Sequence, residues 1–194
     1  MNASLDVPAP AEFYEGRKAL RLFFALWPSA ESASQISEWA FDAHALCGGR
    51  IMRTETLHLT LAFLGSTSAD QAKQLAQAAA DWAIPTGTLV LRRFGRFSGP
   101  RVVWAGPLDA EEDPLPWLAD AYDTLWGHLE SRGWQRPASG FRPHVSLLRK
   151  AGPRELDALQ RAPLAWTPQR CLLVASTPTD QGSAYQVLAS LPLH

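Results

Sequence analysis

The chain has 194 residues, 46% hydrophobic and 19% charged, which is enough apolar material for one packed domain and excludes a disordered or fibrous chain. A formal net charge of −1 excludes the long-range basic field that recruits extended nucleic acid, so a nucleic-acid substrate would have to be gripped locally, at an end. The two cysteines, Cys47 and Cys171, lie far apart and form no CxxC pair, which points to buried thiols in a reducing compartment.

Residues 1–18 are polar, Pro-containing and aperiodic and are expected to form a flexible N-terminal tail ahead of a single domain over 19–194. The apolar run 21–27 stops at Pro28 and reads as a buried strand, far too short to cross a bilayer. Without a secretory signal pattern before it, a soluble cytoplasmic protein is expected. Ser29 is placed to cap a helix over 30–46, whose apolar positions Ala33, Ile36, Ala40 and Ala43 keep helical spacing until Gly48-Gly49. Residues 57–64 alternate as a strand, and 68–83 form an Ala-rich helix. Strands over 88–94 and 102–105 flank a turn at Gly99-Pro100. A helix over 113–132 carries Leu118, Tyr122, Leu125 and Leu129 on one stripe. A strand over 145–148, a short helix over 154–160 and strands over 171–176 and 184–191 complete the order. The layout predicts an α+β fold: two pseudo-symmetric α/β lobes with mainly antiparallel sheets flanking a central cleft, and helices on the outer faces.

Two stretches carry chemistry. Leu57-His58-Leu59-Thr60-Leu61 and Pro143-His144-Val145-Ser146-Leu147 each set an imidazole and a hydroxyl two residues apart, on one face of a strand. One such stretch is ordinary strand-surface patterning, but two among five histidines arise by chance on the order of one per cent of the time. Two imidazoles supply an acid and a base, and two hydroxyls hold the oxygens of an anion, which suits the opening of a phosphodiester. His44 and His128 fall in helices and His194 ends the chain, so structural roles are expected for them. Neither motif has a second metal-binding residue nearby, so no metal and no cofactor is expected.

With these motifs and their flanks, the chain resembles the 2H phosphoesterase superfamily, and within it the bacterial RNA 2′,3′-cyclic phosphodiesterases, also called 2′-5′ RNA ligases. The similarity runs through Arg21–Leu26, Thr56–Gly65, Arg101–Gly106 and Arg142–Arg149, with Ser146 where the family usually carries Thr. The resemblance implies metal-independent hydrolysis of RNA 2′,3′-cyclic phosphate ends to 2′-phosphates, with reversible 2′-5′ ligation as a further capacity, by a monomer that needs no protein partner. It implies His58 as general acid and His144 as general base, with Thr60, Ser146 and Arg149 on the phosphate and Phe24 stacking on the base. Arg149 stands five residues from His144, an odd offset that reaches the same face only if the strand ends or bulges after Leu147. Arg53 and Arg142 are further candidates for the cleft wall. Two other readings stay open: an enzyme of the same superfamily acting on 2′-5′ oligonucleotides or small cyclic nucleotides, and a non-catalytic RNA-end-binding domain.

Overall fold

The computed structural model describes residues 7–109, 112, 114–180 and 182–194. Among them lie ten strands and three α-helices. The order is β1 (Ala19–Trp27), α1 (Ala30–Cys47), β2 (Arg50–Ile51), β3 (Leu59–Ser68), α2 (Ala69–Ala79), β4 (Leu89–Leu91), β5 (Arg93–Phe97), β6 (Val102–Gly106), α3 (Pro116–Glu130), β7 (Val145–Arg149), β8 (Leu164–Trp166), β9 (Arg170–Thr179) and β10 (Gly182–Leu191). Eight strands form one sheet in the order β10-β9-β1-β3-β7-β6-β5, with β2 also on β7, while β4 and β8 make a separate pair. Every strand pairing in both sheets is antiparallel. The α+β class with a mainly antiparallel sheet therefore stands, and the two halves of the chain share one sheet, joined where β3 meets β7.

The sheet has two unlike faces. Leu22, Phe24 and Leu26 of β1 join Leu59, Val145 and Leu148 in the main core, where α1 (Ile36, Ala40), α2 (Ala72, Leu75) and α3 (Leu118, Leu125) bury their apolar stripes. The residues between, Phe23, Ala25 and Trp27, point to the opposite face and form a smaller cluster with Leu172, Val174 and Val187. All three helices thus cover one face, and the other is left for a cleft. The helix starts follow from their caps: Ser29 accepts the Ser32 N–H at 3.1 Å, and Ser68 accepts the Gln71 N–H at 3.3 Å.

Four expectations are corrected. The tail over 1–18 is docked in its described part: the Ala9 N–H donates to the Val187 carbonyl at 2.8 Å, Ala11–Tyr14 form a 3-10 turn, and Phe13 and Tyr14 pack on the core. Residues 1–6 lie outside the described residues. The strand expected over 88–94 is two strands in two sheets, because Leu89 and Leu91 are fully buried against β8 whereas β5 turns onto β6. The helix expected over 154–160 is a loop, in which the Arg154 carbonyl accepts from Arg96 Nη2 at 2.8 Å. That segment lies between Gly152-Pro153 and Pro163 and is too short to pay the cost of helix nucleation. The helix expected from 113 begins at Pro116, and position 113 lies outside the described residues.

Candidate active site

The two motif strands are neighbours, and Leu59 of β3 pairs with Val145 of β7. In an antiparallel ladder that register sets His58 level with Ser146, and Thr60 level with His144, all on the face away from the helices. The four side chains line one cleft together with Arg149, Phe23, Phe63, Arg21, Arg50 and Tyr185. A local two-fold pseudo-symmetry thus brings two distant sequence motifs to one place.

Bulges decide what else reaches the cleft. On β7, Ser146 pairs with Trp104 and Leu148 with Val103, so Leu147 is an extra residue. Leu147 and Leu148 are both fully buried, and the alternation resumes one step late. Arg149 therefore emerges on the histidine face, and its charge acts on both imidazoles. On β3 the same event occurs: Ala62 pairs with Phe24 and Thr60 with Ala25, leaving Leu61 extra, and Phe63 emerges on the cleft face. Phe63 is thus the counterpart of Arg149, five residues after its histidine. It is 66% exposed, with its ring 5.9 Å from that of Phe23.

Phe24 requires a correction. It is fully buried on the helix side of β1 with its ring 6.0 Å from Trp82, so no base can reach it. The apolar run of β1 hides its facing; the ladder assigns Phe23, Ala25 and Trp27 to the cleft face and Phe24 to the core. Of the other candidates, Arg142 lines an adjoining groove beside His144, whereas Arg53 donates from Nη2 to the Ser183 carbonyl at 3.1 Å and faces Glu55 at 3.4 Å. His128 stacks on Trp82 at 4.5 Å, His44 lies in the last turn of α1, and the His194 N–H donates to the Ile84 carbonyl.

Both imidazoles are held alike. His58 Nδ1 donates to the Thr56 carbonyl at 2.7 Å and His144 Nδ1 to the Arg142 carbonyl at 2.8 Å, because a carbonyl can only accept. Each ring therefore keeps Nε2 for the cleft. Their surroundings differ. His58 is packed among Trp27, Phe23 and Tyr185 at ring distances of 4.7, 5.0 and 5.7 Å, and burial lowers its pKa to about 4, with His144 and Arg149 acting in the same direction. His144 meets Phe97 edge-on at 4.8 Å, and burial followed by the Arg149 charge lowers its pKa as well. Burial thus favours the neutral form of both rings, and a bound anion would draw protons back. Among the described residues, no three His, Cys, Asp or Glu side chains converge as metal ligands, and no helix is long and apolar enough to cross a membrane.

The profile of the family described as LigT like Phosphoesterase matches residues 26–104. A relative from Escherichia coli (strain K12), named RNA 2′,3′-cyclic phosphodiesterase, is 36% identical over 131 residues, 68% of this chain and 72% of the relative. One of the same name from Thermus thermophilus is 25% identical over 194 residues, 90% of each chain. Among solved structures, E. coli LigT complexed with 3′-AMP superposes with a TM-score of 0.73 at 30% identity, covering 91% of this chain and 99% of that one. The chain belongs to the LigT-like phosphoesterase family.

Proposed function

We propose that the protein hydrolyses RNA 2′,3′-cyclic phosphate ends to 2′-phosphomonoesters by two-histidine acid–base catalysis. The observation that carries this reading is the β3–β7 register, which puts two imidazoles and two hydroxyls on one cleft face with an arginine beside them. It is supported by relatives named for that activity.

In this mechanism the non-bridging phosphate oxygens accept hydrogen bonds from Thr60 Oγ1 and Ser146 Oγ and face the Arg149 guanidinium. A water oxygen bonds to phosphorus as its proton passes to His144 Nε2. The P–O3′ bond breaks and the 3′ oxygen takes a proton from His58 Nε2, giving a 2′-phosphate. Side chains supply acid, base and charge stabilisation, so the reaction needs no metal. Phe63, exposed on the cleft face, offers its ring to the terminal base in place of Phe24. The protein is taken to act as a cytoplasmic monomer, in keeping with free, buried Cys47 and Cys171.

The test is incubation of an RNA ending in a 2′,3′-cyclic phosphate with the protein in EDTA, followed by identification of the hydroxyl that keeps the phosphate. A 2′-phosphate is expected. A 3′-phosphate would reverse the leaving oxygen, and intact substrate would reject hydrolysis in favour of end-binding alone.

A further inference from the structure

Arg50 and Arg149 stand directly opposite each other where β2 pairs with β7, and both line the cleft. Like charges at opposed positions of an antiparallel pair are destabilising, yet the local backbone brings them together. Gly49 lets β2 close on β7, since a Cβ there would come within 2.8 Å of the Arg149 carbonyl oxygen. Among the described residues, the carboxylates that form ion pairs do so with Arg53, Arg93, Arg136 and Arg161, and none with Arg50 or Arg149. Arg149 has a role in the mechanism above, whereas Arg50 has none. A narrow slot continues the cleft between β2 and the start of β10, and Arg50, Arg149, Ser183 and Tyr185 line both. Arg50 reaches across this slot, where a Cβ on Gly182 would lie 3.3 Å from its Nη1. Arg53, held by the Ser183 carbonyl and Glu55, ties the two sides together. The slot also has a direction. Because β3 and β7 are antiparallel, Phe63, five residues after His58, and Arg149, five residues after His144, lie toward opposite ends of the cleft. Arg50 stands at the Arg149 end.

We propose that Arg50 and the slot beside it form a second phosphate subsite, which takes the phosphate on O5′ of the nucleoside whose 2′,3′-cyclic phosphate is opened. The inference deepens the catalytic reading above and rests on it. A ribose carries its base at C1′ and its O5′ phosphate beyond C4′. With the cyclic phosphate between the histidines, the two substituents leave in different directions, as Phe63 and Arg50 do. A guanidinium forms paired charge-assisted bonds with a phosphate, and a second anion offsets the opposed charges of Arg50 and Arg149. That phosphate comes from the preceding linkage of an RNA chain or from a free 5′-nucleotide. In either case a nucleoside 2′,3′-cyclic phosphate with a bare 5′-hydroxyl is the poorer substrate.

The test gives the full chain three substrates: adenosine 2′,3′-cyclic phosphate, its 5′-phosphorylated form, and an adenosine dinucleotide ending in the cyclic phosphate. A phosphate on O5′ is expected to raise kcat/KM about tenfold, the lower end of the range for hydrogen bonds to charged groups. Arg50→Gln is expected to bring that ratio close to one. A gain for the dinucleotide assigns the subsite to an RNA chain, and a gain for the 5′-phosphorylated mononucleotide alone assigns it to free nucleotides. A wild-type ratio near one for both, or an equal loss on all three substrates in Arg50→Gln, overturns the subsite. Binding is read separately, by calorimetric titration with adenosine 2′,5′-bisphosphate and 2′-AMP. The bisphosphate is expected to bind about tenfold more tightly, with a dependence of log affinity on log salt steeper by roughly 0.7, and Arg50→Gln should remove both differences. Equal wild-type affinities overturn the subsite, whether or not the variant folds. Failure of the wild type to hydrolyse any of the three substrates counts against the catalytic reading, and the subsite is then judged on bisphosphate binding alone.

Discussion

Each histidine binds through Nδ1 to a carbonyl two residues upstream, so ring orientation is set by local backbone on both strands. Burial then opposes charging, most strongly at His58. In the proposed mechanism the acid must be protonated in the complex, and a bound phosphate anion favours that form. The kcat/KM profile, which reports the free enzyme, is therefore expected to peak below pH 6.5, the ordinary histidine value. The kcat profile should lie at higher pH; coincident profiles would show that the anion does not retune the pair. Arg149→Ala removes charge-assisted bonds of about 1.5–3 kcal/mol, roughly 10- to 150-fold in KM for a cyclic nucleotide. The two phenylalanines are expected to separate by assay. Phe24→Ala costs about 3–5 kcal/mol of stability in urea denaturation, and Phe63→Ala leaves stability nearly unchanged but raises KM by about 1–3 kcal/mol of lost stacking. An unaltered KM in Phe63→Ala would remove its assigned role.

At the scale of elements, the His-x-hydroxyl motifs were legible because a strand has a period of two and the motifs keep it. Arg149 and Phe63 were not, because the extra residues Leu147 and Leu61 are ordinary core leucines and nothing in composition marks a bulge. The facing of Phe24 was hidden for another reason: β1 is apolar on both faces, one side meeting the helices and the other the aromatic cluster around His58. The tail over 7–18 docks through the Ala9 N–H, the Val7 carbonyl and a few side chains, which leave no periodic signal. The sheet also sets a sharp contrast between glycines. Gly95→Ala drives a Cβ into the Trp104 ring and is expected to cost about 1–3 kcal/mol by overpacking. Gly99→Ala has no atom within 4 Å and should stay within about 0.5 kcal/mol, both read from urea midpoints.

At the scale of the molecule, one sheet carries a helix-covered core on one face and, on the other, the cleft proposed as the reaction centre, at the seam of its two halves. That seam has a thermodynamic signature. Because His58 is depressed to about 4 from 6.5, the unfolded chain binds a proton that the folded protein refuses between those values. Stability is therefore complete above pH 6.5 and declines as the pH falls toward 4. His58→Gln should flatten the fall in Tm over that window, and an equal fall in both proteins would locate the acid sensitivity elsewhere. The most direct measurement of the central claim is the rate of hydrolysis of a 2′,3′-cyclic phosphate RNA end by the wild type, His58→Ala and His144→Ala in EDTA. Each substitution is expected to lower kcat by about a hundred- to ten-thousand-fold with the fold intact. Near wild-type turnover by either variant would contradict a phosphorus flanked by two working imidazoles.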